Sequence, residues 1–112
     1  MTDEDAIHSF FRCFQDRDLE TLRGLLTADF RHVSPYALYE DRDKMLEEIW
    51  PQVEANNNYA TNIEIFGSGP GYMVRYQHSG GSDARLAEFF RFENGKIAEI
   101  EVYMGRGTMQ GQ

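Results

Sequence analysis

The sequence predicts an α+β domain in which helices come first and hairpin-connected strands come last. Three observations predict it. Ile7, Phe10, Phe11 and Phe14 recur at helical spacing near the start of the chain. From Tyr59 onward the apolar residues come in short strand-like runs. Those runs are separated by turns short enough to join neighbouring strands, at Gly67-Ser68-Gly69-Pro70-Gly71, Ser79-Gly80-Gly81-Ser82 and around Asn94-Gly95. The order is helix, helix, strand, helix and then four strands, and a run of strands beside a group of helices is α+β.

Each element has its own signal. Thr2 followed by Asp5 makes a capping box with Asp in place of the usual Glu, and the first helix is expected from Asp3 to Asp16. Asp18 can cap a short second helix carrying Leu19, Leu22, Leu25 and Leu26, which Gly24 weakens by roughly 1 kcal/mol relative to Ala. Phe30, His32 and Ser34 then alternate with Arg31 and Val33, a short strand closed by Pro35. Asp41 is a good N-cap for a third helix with an apolar stripe of Leu46, Ile49, Trp50 and Val53. Pro51 lacks an N–H and is expected to kink or end that helix near Trp50, with Asn56-Asn57-Asn58 as its terminator. Strands are expected at about 59–66 and 72–78. The domain covers residues 1–105, and 106–112 read as a frayed tail.

The closing hairpin, Glu88 to Met104, is the most informative stretch, because it places one carboxylate in a row of large apolar side chains. A two-residue loop at Asn94-Gly95 would set Glu88 against Glu101, and like charges directly opposite repel. A three-residue loop, Glu93-Asn94-Gly95 with Gly95 left-handed, is therefore expected. It gives one face of Leu86, Glu88, Phe90, Phe92, Ala98, Ile100, Val102 and Met104. The other face carries Arg85, Ala87, Phe89, Arg91, Ile97, Glu99, Glu101 and Tyr103, with Arg91 able to reach Glu99 and Arg85 available to the same charged row.

Composition narrows the function classes. At 112 residues, 41% hydrophobic and 27% charged, the chain reads as one soluble domain. A net charge of −8 argues against binding nucleic acid or an anionic membrane, which needs a basic patch. No apolar run approaches the ~20 residues of a membrane span. The acidic start, Met1 to Asp5, lacks the regions of a signal peptide, and a cytoplasmic location is expected. The single cysteine, Cys13, lies beside Phe10 and Phe14 with no basic partner in view, so a buried inert thiol is expected. Three scattered histidines give no metal-ligand spacing, so neither metal nor cofactor is expected.

Several segments carry a family resemblance: Phe14-Gln15-Asp16-Arg17-Asp18-Leu19-Glu20-Thr21-Leu22, Leu26-Thr27-Ala28-Asp29-Phe30, and Glu88-Phe89-Phe90-Arg91-Phe92 followed by Asn94-Gly95-Lys96-Ile97. Over nearly its full length the chain resembles the SnoaL-like branch of the nuclear transport factor 2-like superfamily, which also contains ketosteroid isomerase. The resemblance implies a cystatin-like cone: a curved, mostly antiparallel sheet wrapped around the N-terminal helices. It also implies a pocket at the open end and a homodimer formed through the sheet. It points Phe30, His32 and Ser34 into the cavity.

The isomerase's catalytic set transfers only in part. Ser34-Pro35 stands where the isomerase has its Asp-Pro base, Phe10 where it has its oxyanion-hole Tyr, and Glu88 where it has a protonated Asp. Steroid isomerisation is therefore not expected. Polyketide cyclases of the SnoaL type carry an acid on the same strand as general acid/base, a role open to Glu88.

Two hypotheses follow. In the first, the chain is a cofactor-independent isomerase- or cyclase-type enzyme acting on a small apolar carbonyl compound. Glu88 moves the proton with His32 as its acid/base partner. Phe10, Phe14, Phe30, Ser34, Trp50, Tyr76, Phe90, Ile100, Val102 and Met104 line the pocket. In the second, the same fold binds a small ligand or a second copy without chemistry, and Glu88 and His32 are hydrogen-bonded parts of a filled core. An open cavity with an inward Glu88 favours the first; a filled one with Glu88 in water favours the second.

Overall fold

Thr2 accepts a hydrogen bond from the Asp5 backbone N–H, and the Asp5 carboxylate accepts one from the Thr2 N–H. This capping box opens α1 (Asp3–Asp16), which buries Ala6, Ile7, Phe10, Phe11 and Cys13. Burial, then the charges of Asp18 and Asp16, push the Cys13 thiol up to about 11, so the thiol is inert. Left-handed Arg17 ends the helix. Asp18 then caps α2 (Leu19–Leu25), which runs directly into β1 (Leu26–Val33). The computed structural model describes residues 1–56, 59–80 and 85–104. Asn57, Asn58, Gly81, Ser82 and the expected tail lie outside them.

The chain then makes a turn that the alternation did not predict. The Ser34 hydroxyl oxygen accepts from the N–H groups of Tyr36 and Ala37, and the Ser34 N–H donates to the Ala37 carbonyl. The chain folds back as β2 (Leu38–Tyr39), pairing Tyr39 with His32 and Leu38 with Val33. Asp41 caps α3 (Arg42–Ala55) by accepting from the Lys44 N–H. This helix passes through Pro51 and continues to Ala55, with Asn56 as its C-cap. Pro51 and Glu47, whose carbonyl loses its usual N–H partner, are both exposed, while Leu46, Trp50 and Val53 pack against the core on the other side. Apolar packing on both sides of the proline outweighs one missing exposed bond.

The remaining strands are β3 (Ala60–Ser68), β4 (Gly71–His78), β5 (Arg85–Glu93) and β6 (Lys96–Met104). The sheet has six strands in the order β2-β1-β6-β5-β4-β3. All neighbours are antiparallel except β1 and β6. The sheet curves around α1 and α3 without closing, the α+β cone expected from the sequence. Its concave side holds the core. Phe10 meets Phe90 edge to face at 5.3 Å, Phe11 meets Tyr76 at 4.9 Å, and Phe14 meets Trp50 at 6.2 Å.

The closing hairpin differs from the expected loop in an instructive way. The loop has two residues, Asn94 and Gly95, both with positive φ, at 50° and 80°. Pairing runs Glu93 with Lys96 and Phe92 with Ile97, then shifts so that Arg91 meets Glu99. Ala98 is the extra residue, a bulge in β6. It restores the expected division of faces: Glu88 opposes Val102 and Phe90 opposes Ile100. One residue changes sides. Ile97, expected on the outer face, is fully buried, because on the loop side of the bulge it pairs with inward-facing Phe92.

On the convex side Arg31 and Arg91 both donate to Glu99, at 2.7 and 3.1 Å, whereas Arg85 turns to Glu64 at 3.4 Å. Phe89, Met73 and Phe66 form a ladder across β5, β4 and β3 on that side, and Met73, Phe66 and Tyr103 are exposed. No described helix is long and apolar enough to cross a membrane.

Two glycines predict opposite outcomes. A Cβ on exposed, helical Gly24 would meet nothing within 4 Å, so Gly24→Ala is expected to stabilise the fold by up to about 1 kcal/mol. Gly95 is equally uncrowded but has a φ of +80°, so Gly95→Ala is expected to destabilise by about 1–2 kcal/mol. Urea melts of the two variants check both signs.

Candidate functional site

A cleft of about 260 Å³ opens between α1, α3 and the concave face of the sheet. Phe10, Phe11 and Phe14 of α1, Ile49 of α3 and Ala60 of β3 form its apolar walls. Its polar groups are Glu88, Tyr76, His32, His78 and Tyr59. A neighbouring hollow of about 270 Å³ shares Phe14, Ile49 and His78 with it and adds Gln52, Val53 and Asn56.

Glu88 sits mid-strand in β5, flanked by Val74 on β4 and Val102 on β6. It is the only buried charged residue among those described, at 7% exposure. Tyr76 lies on β4 two residues from Val74, a diagonal neighbour within reach of a long side chain. Its phenol donates a hydrogen bond to Glu88 Oε2. Burial raises the Glu88 carboxyl from 4.5 to about 7, against the opposing pull of the Tyr76 bond. The Tyr76 phenol is pushed up by burial and then by the Glu88 charge, so it remains a donor. Tyr76 occupies Oε2, and no other described group donates to Glu88, which leaves Oε1 available. A carboxyl balanced between its two forms near neutral pH can take a proton or give one.

His32 lies on the same concave face but not beside Glu88. It pairs with Ile100 of β6, and β5 is the next strand over. Two strand spacings of sheet, roughly 10 Å, separate the two side-chain rows. No hydrogen bond joins them, so the expected acid/base dyad is not a contact pair. Alternation along each strand puts both residues on one face, and the width of β6 lies between them. Burial lowers the His32 pKa and keeps the ring neutral. Its Nδ1 is sealed from solvent and has no hydrogen-bond partner among the described residues.

The other expected lining residues divide into three groups. Phe10, Phe14 and Tyr76 line the cleft. Phe30, Phe90 and Ile100 are fully buried in the core and do not line the cleft, and Trp50 meets Phe14 at a tilt. Val102 is half-buried beside Glu88. Ser34 is committed to its turn, since its oxygen accepts two backbone N–H groups there. The Met104 side chain lies outside the described residues. Phe11, Ile49, Tyr59, Ala60 and His78 line the cleft without having been assigned to it. Phe11 and Ile49 belong to helical stripes already visible in the sequence. His78 is exposed, but its ring meets Tyr76 edge to face at 5.7 Å and lines the cleft. Among the described residues no three His, Cys, Asp or Glu side chains converge as metal ligands do.

The raised Glu88 pKa predicts a stability signature. Between pH 4.5 and about 7 the unfolded chain releases this proton while the folded chain keeps it, so Glu88 costs stability as pH rises through that window. His32 and the depressed carboxyls of Asp18, Asp43 and Glu99 act oppositely, losing stability as pH falls. The difference between the chain and its Glu88→Gln variant isolates the single group. The variant is expected to gain relative stability from pH 4.5 to about 7, by a total on the order of 3 kcal/mol. Denaturant melts at several pH values measure this, and a difference that does not change with pH would return Glu88 to water.

Solved structures share the fold at low identity. A candidate polyketide cyclase of Sinorhizobium meliloti superposes with a TM-score of 0.77 at 20% identity, covering 92% of this chain and 100% of its own. TerC, co-crystallized with polyporic acid, gives 0.78 at 16%, covering 92% and 91%. A candidate ketosteroid isomerase of Kribbella flavida gives 0.76 at 14%, covering 93% and 78%. No curated protein matches the chain. The model of the SnoaL-like domain matches residues 7–100, most of the sequence, and the chain belongs to that family.

Proposed function

We propose that the chain is a cofactor-independent enzyme of isomerase or cyclase type, moving a proton on a small, apolar carbonyl compound held in the cleft. One observation carries the reading: Glu88 is buried at the wall of an open, largely aromatic cleft, with its carboxyl near 7. A purely structural carboxyl gains nothing from that position, since burial opposes its charge. In the proposed reaction Glu88 Oε1 removes a proton from the carbon next to the carbonyl. The electron pair moves into an enolate, and the carboxyl then returns the proton to a different atom. Tyr76 fixes the carboxyl and partly offsets the cost of its charge. The polyketide cyclase and ketosteroid isomerase descriptions of the neighbouring folds are compatible with this class of chemistry.

The direct test is deuterium exchange. In heavy water the chain is expected to catalyse exchange at the activated carbon of naphthyl-sized ketones, followed by NMR. Glu88→Gln is expected to slow exchange by about 10²–10⁴-fold while the fold persists. Saturable binding with no exchange would favour the non-catalytic ligand-binding alternative. Tyr76→Phe removes a bond that favours the charged carboxylate, so the acidic limb of the pH–rate profile, where Glu88 is protonated and cannot act as the base, is expected to move to higher pH. A profile left in place would remove Tyr76 from the mechanism.

The same reading expects two copies to pair through the convex sheet face, where Phe66, Met73 and Tyr103 are exposed. Sedimentation is expected to give a dimer that Met73→Glu dissociates. A 13.0 kDa species at every concentration would exclude the pairing.

A further inference from the structure

We propose that His32 is a neutral hydrogen-bond donor that presents Nε2–H to the carbonyl oxygen of the bound molecule, across the cleft from Glu88. The site then selects uncharged aromatic ketones over carboxylates and phosphates. This deepens the proposed function, because it rests on the cleft being where the substrate binds.

A neutral imidazole carries one proton on one of its two nitrogens. Nδ1 of His32 is closed off from solvent, and no described group accepts from it or donates to it. A proton there would be a buried donor with nothing to bond, which is costly. A bare Nδ1 leaves only an unused lone pair. The proton therefore sits on Nε2, on a ring that meets the cleft. Burial disfavours the charged ring, and no hydrogen bond joins it to a described residue. The Phe30 ring is at 6.3 Å, the Tyr39 ring at 6.4 Å, and Ile100 is the strand neighbour. Glu88 lies on the far side of β6.

This division of labour suits proton transfer next to a carbonyl. The enolate gathers negative charge on oxygen while a base takes the proton from carbon, so a donor at the oxygen and a base at the carbon must stand apart. Across the width of β6, His32 and Glu88 do so. Phe10, Phe11, Phe14 and Ile49 give the space between them apolar walls. Among the described residues no Lys or Arg lines the cleft, so an anionic ligand would meet the Glu88 carboxylate with no described cation to balance it.

Nitrogen NMR of the full chain reads the tautomer directly, and His32→Gln identifies which imidazole signals belong to His32. A neutral Nε2–H tautomer at neutral pH is expected. An Nδ1–H tautomer or an imidazolium overturns the proposal. Binding of three probes of one shape supplies the second readout: methyl naphthyl ketone, isopropenylnaphthalene, which lacks only the oxygen, and naphthoate. The ketone is expected to bind about three- to tenfold more tightly than the alkene and to move the His32 Nε2 signal. Naphthoate is expected to bind most weakly. His32→Leu should erase the preference for the ketone, and His32→Gln, which keeps an amide donor, should retain part of it. Equal binding of ketone and alkene, tightest binding of naphthoate, or a ketone preference that survives His32→Leu each overturns the assignment. If His32 passes and deuterium exchange is absent, the catalytic reading falls while the recognition role stands. Exchange that depends on Glu88 but not on His32 gives the reverse.

Discussion

One extra residue in β6 sets the register on which the site depends. Asn94 and Gly95 form a tight two-residue loop, and pairing carried straight out from it would set Glu88 against Glu101 and Phe90 against Glu99. The bulge at Ala98 shifts β6 by one residue, so Glu88 faces Val102 and Phe90 faces Ile100. Because side chains alternate along a strand, that single shift sends the acids of β6 to the convex face and its apolar residues to the core. Arg31 and Arg91 then close on Glu99 from either side, which also ties β1 and β5 to β6 on that face. Ile97, between the loop and the bulge, is drawn inward and joins the core.

Against that background Glu88 is the one polar intrusion among the buried residues described. The surrounding valines and phenylalanines raise its pKa, and the Tyr76 phenol lowers it without cancelling the effect of burial. The balance leaves the carboxyl close to neutrality. Tyr76 can play this part because its own ring is packed against Phe11, which fixes the phenol over the carboxyl. His32 is governed by the same burial with the opposite consequence: a base kept uncharged. Burial thus raises the pKa of the carboxyl and lowers that of the imidazole, in each case favouring the uncharged form.

Much of the architecture was legible because local signals agreed with one another. The Thr2 box, the Asp18 and Asp41 caps and the helical stripes locate all three helices, and the alternation in β5 and β6 identifies the buried face. The misreadings are equally local. A three-residue loop and a two-residue loop followed by a bulge give almost the same division of faces, so pattern alone could not separate them. Only Ile97 distinguishes the two, and it lies between the turn and the bulge. Ser34 alternated correctly with its neighbours, yet its hydroxyl serves a turn, because short polar side chains compete for nearby backbone N–H groups. Pro51 has a strong local preference to break a helix, which packing on both sides of it overrides.

From the sequence alone come the α+β class, the family, the inward direction of Glu88 and the absence of its isomerase companions at Phe10 and Ser34. These follow from periodicity, capping chemistry and side-chain type, which act over a few residues. The tertiary structure decided what depends on distances between strands. It set Tyr76, not His32, as the partner of Glu88. It separated His32 from Glu88 by the width of β6, left Nδ1 without a partner, and brought Phe11, Ile49 and His78 to the cleft. Strand order and sheet curvature arise from packing the whole chain at once. A one-dimensional pattern records which face a residue occupies but not which residue stands across from it.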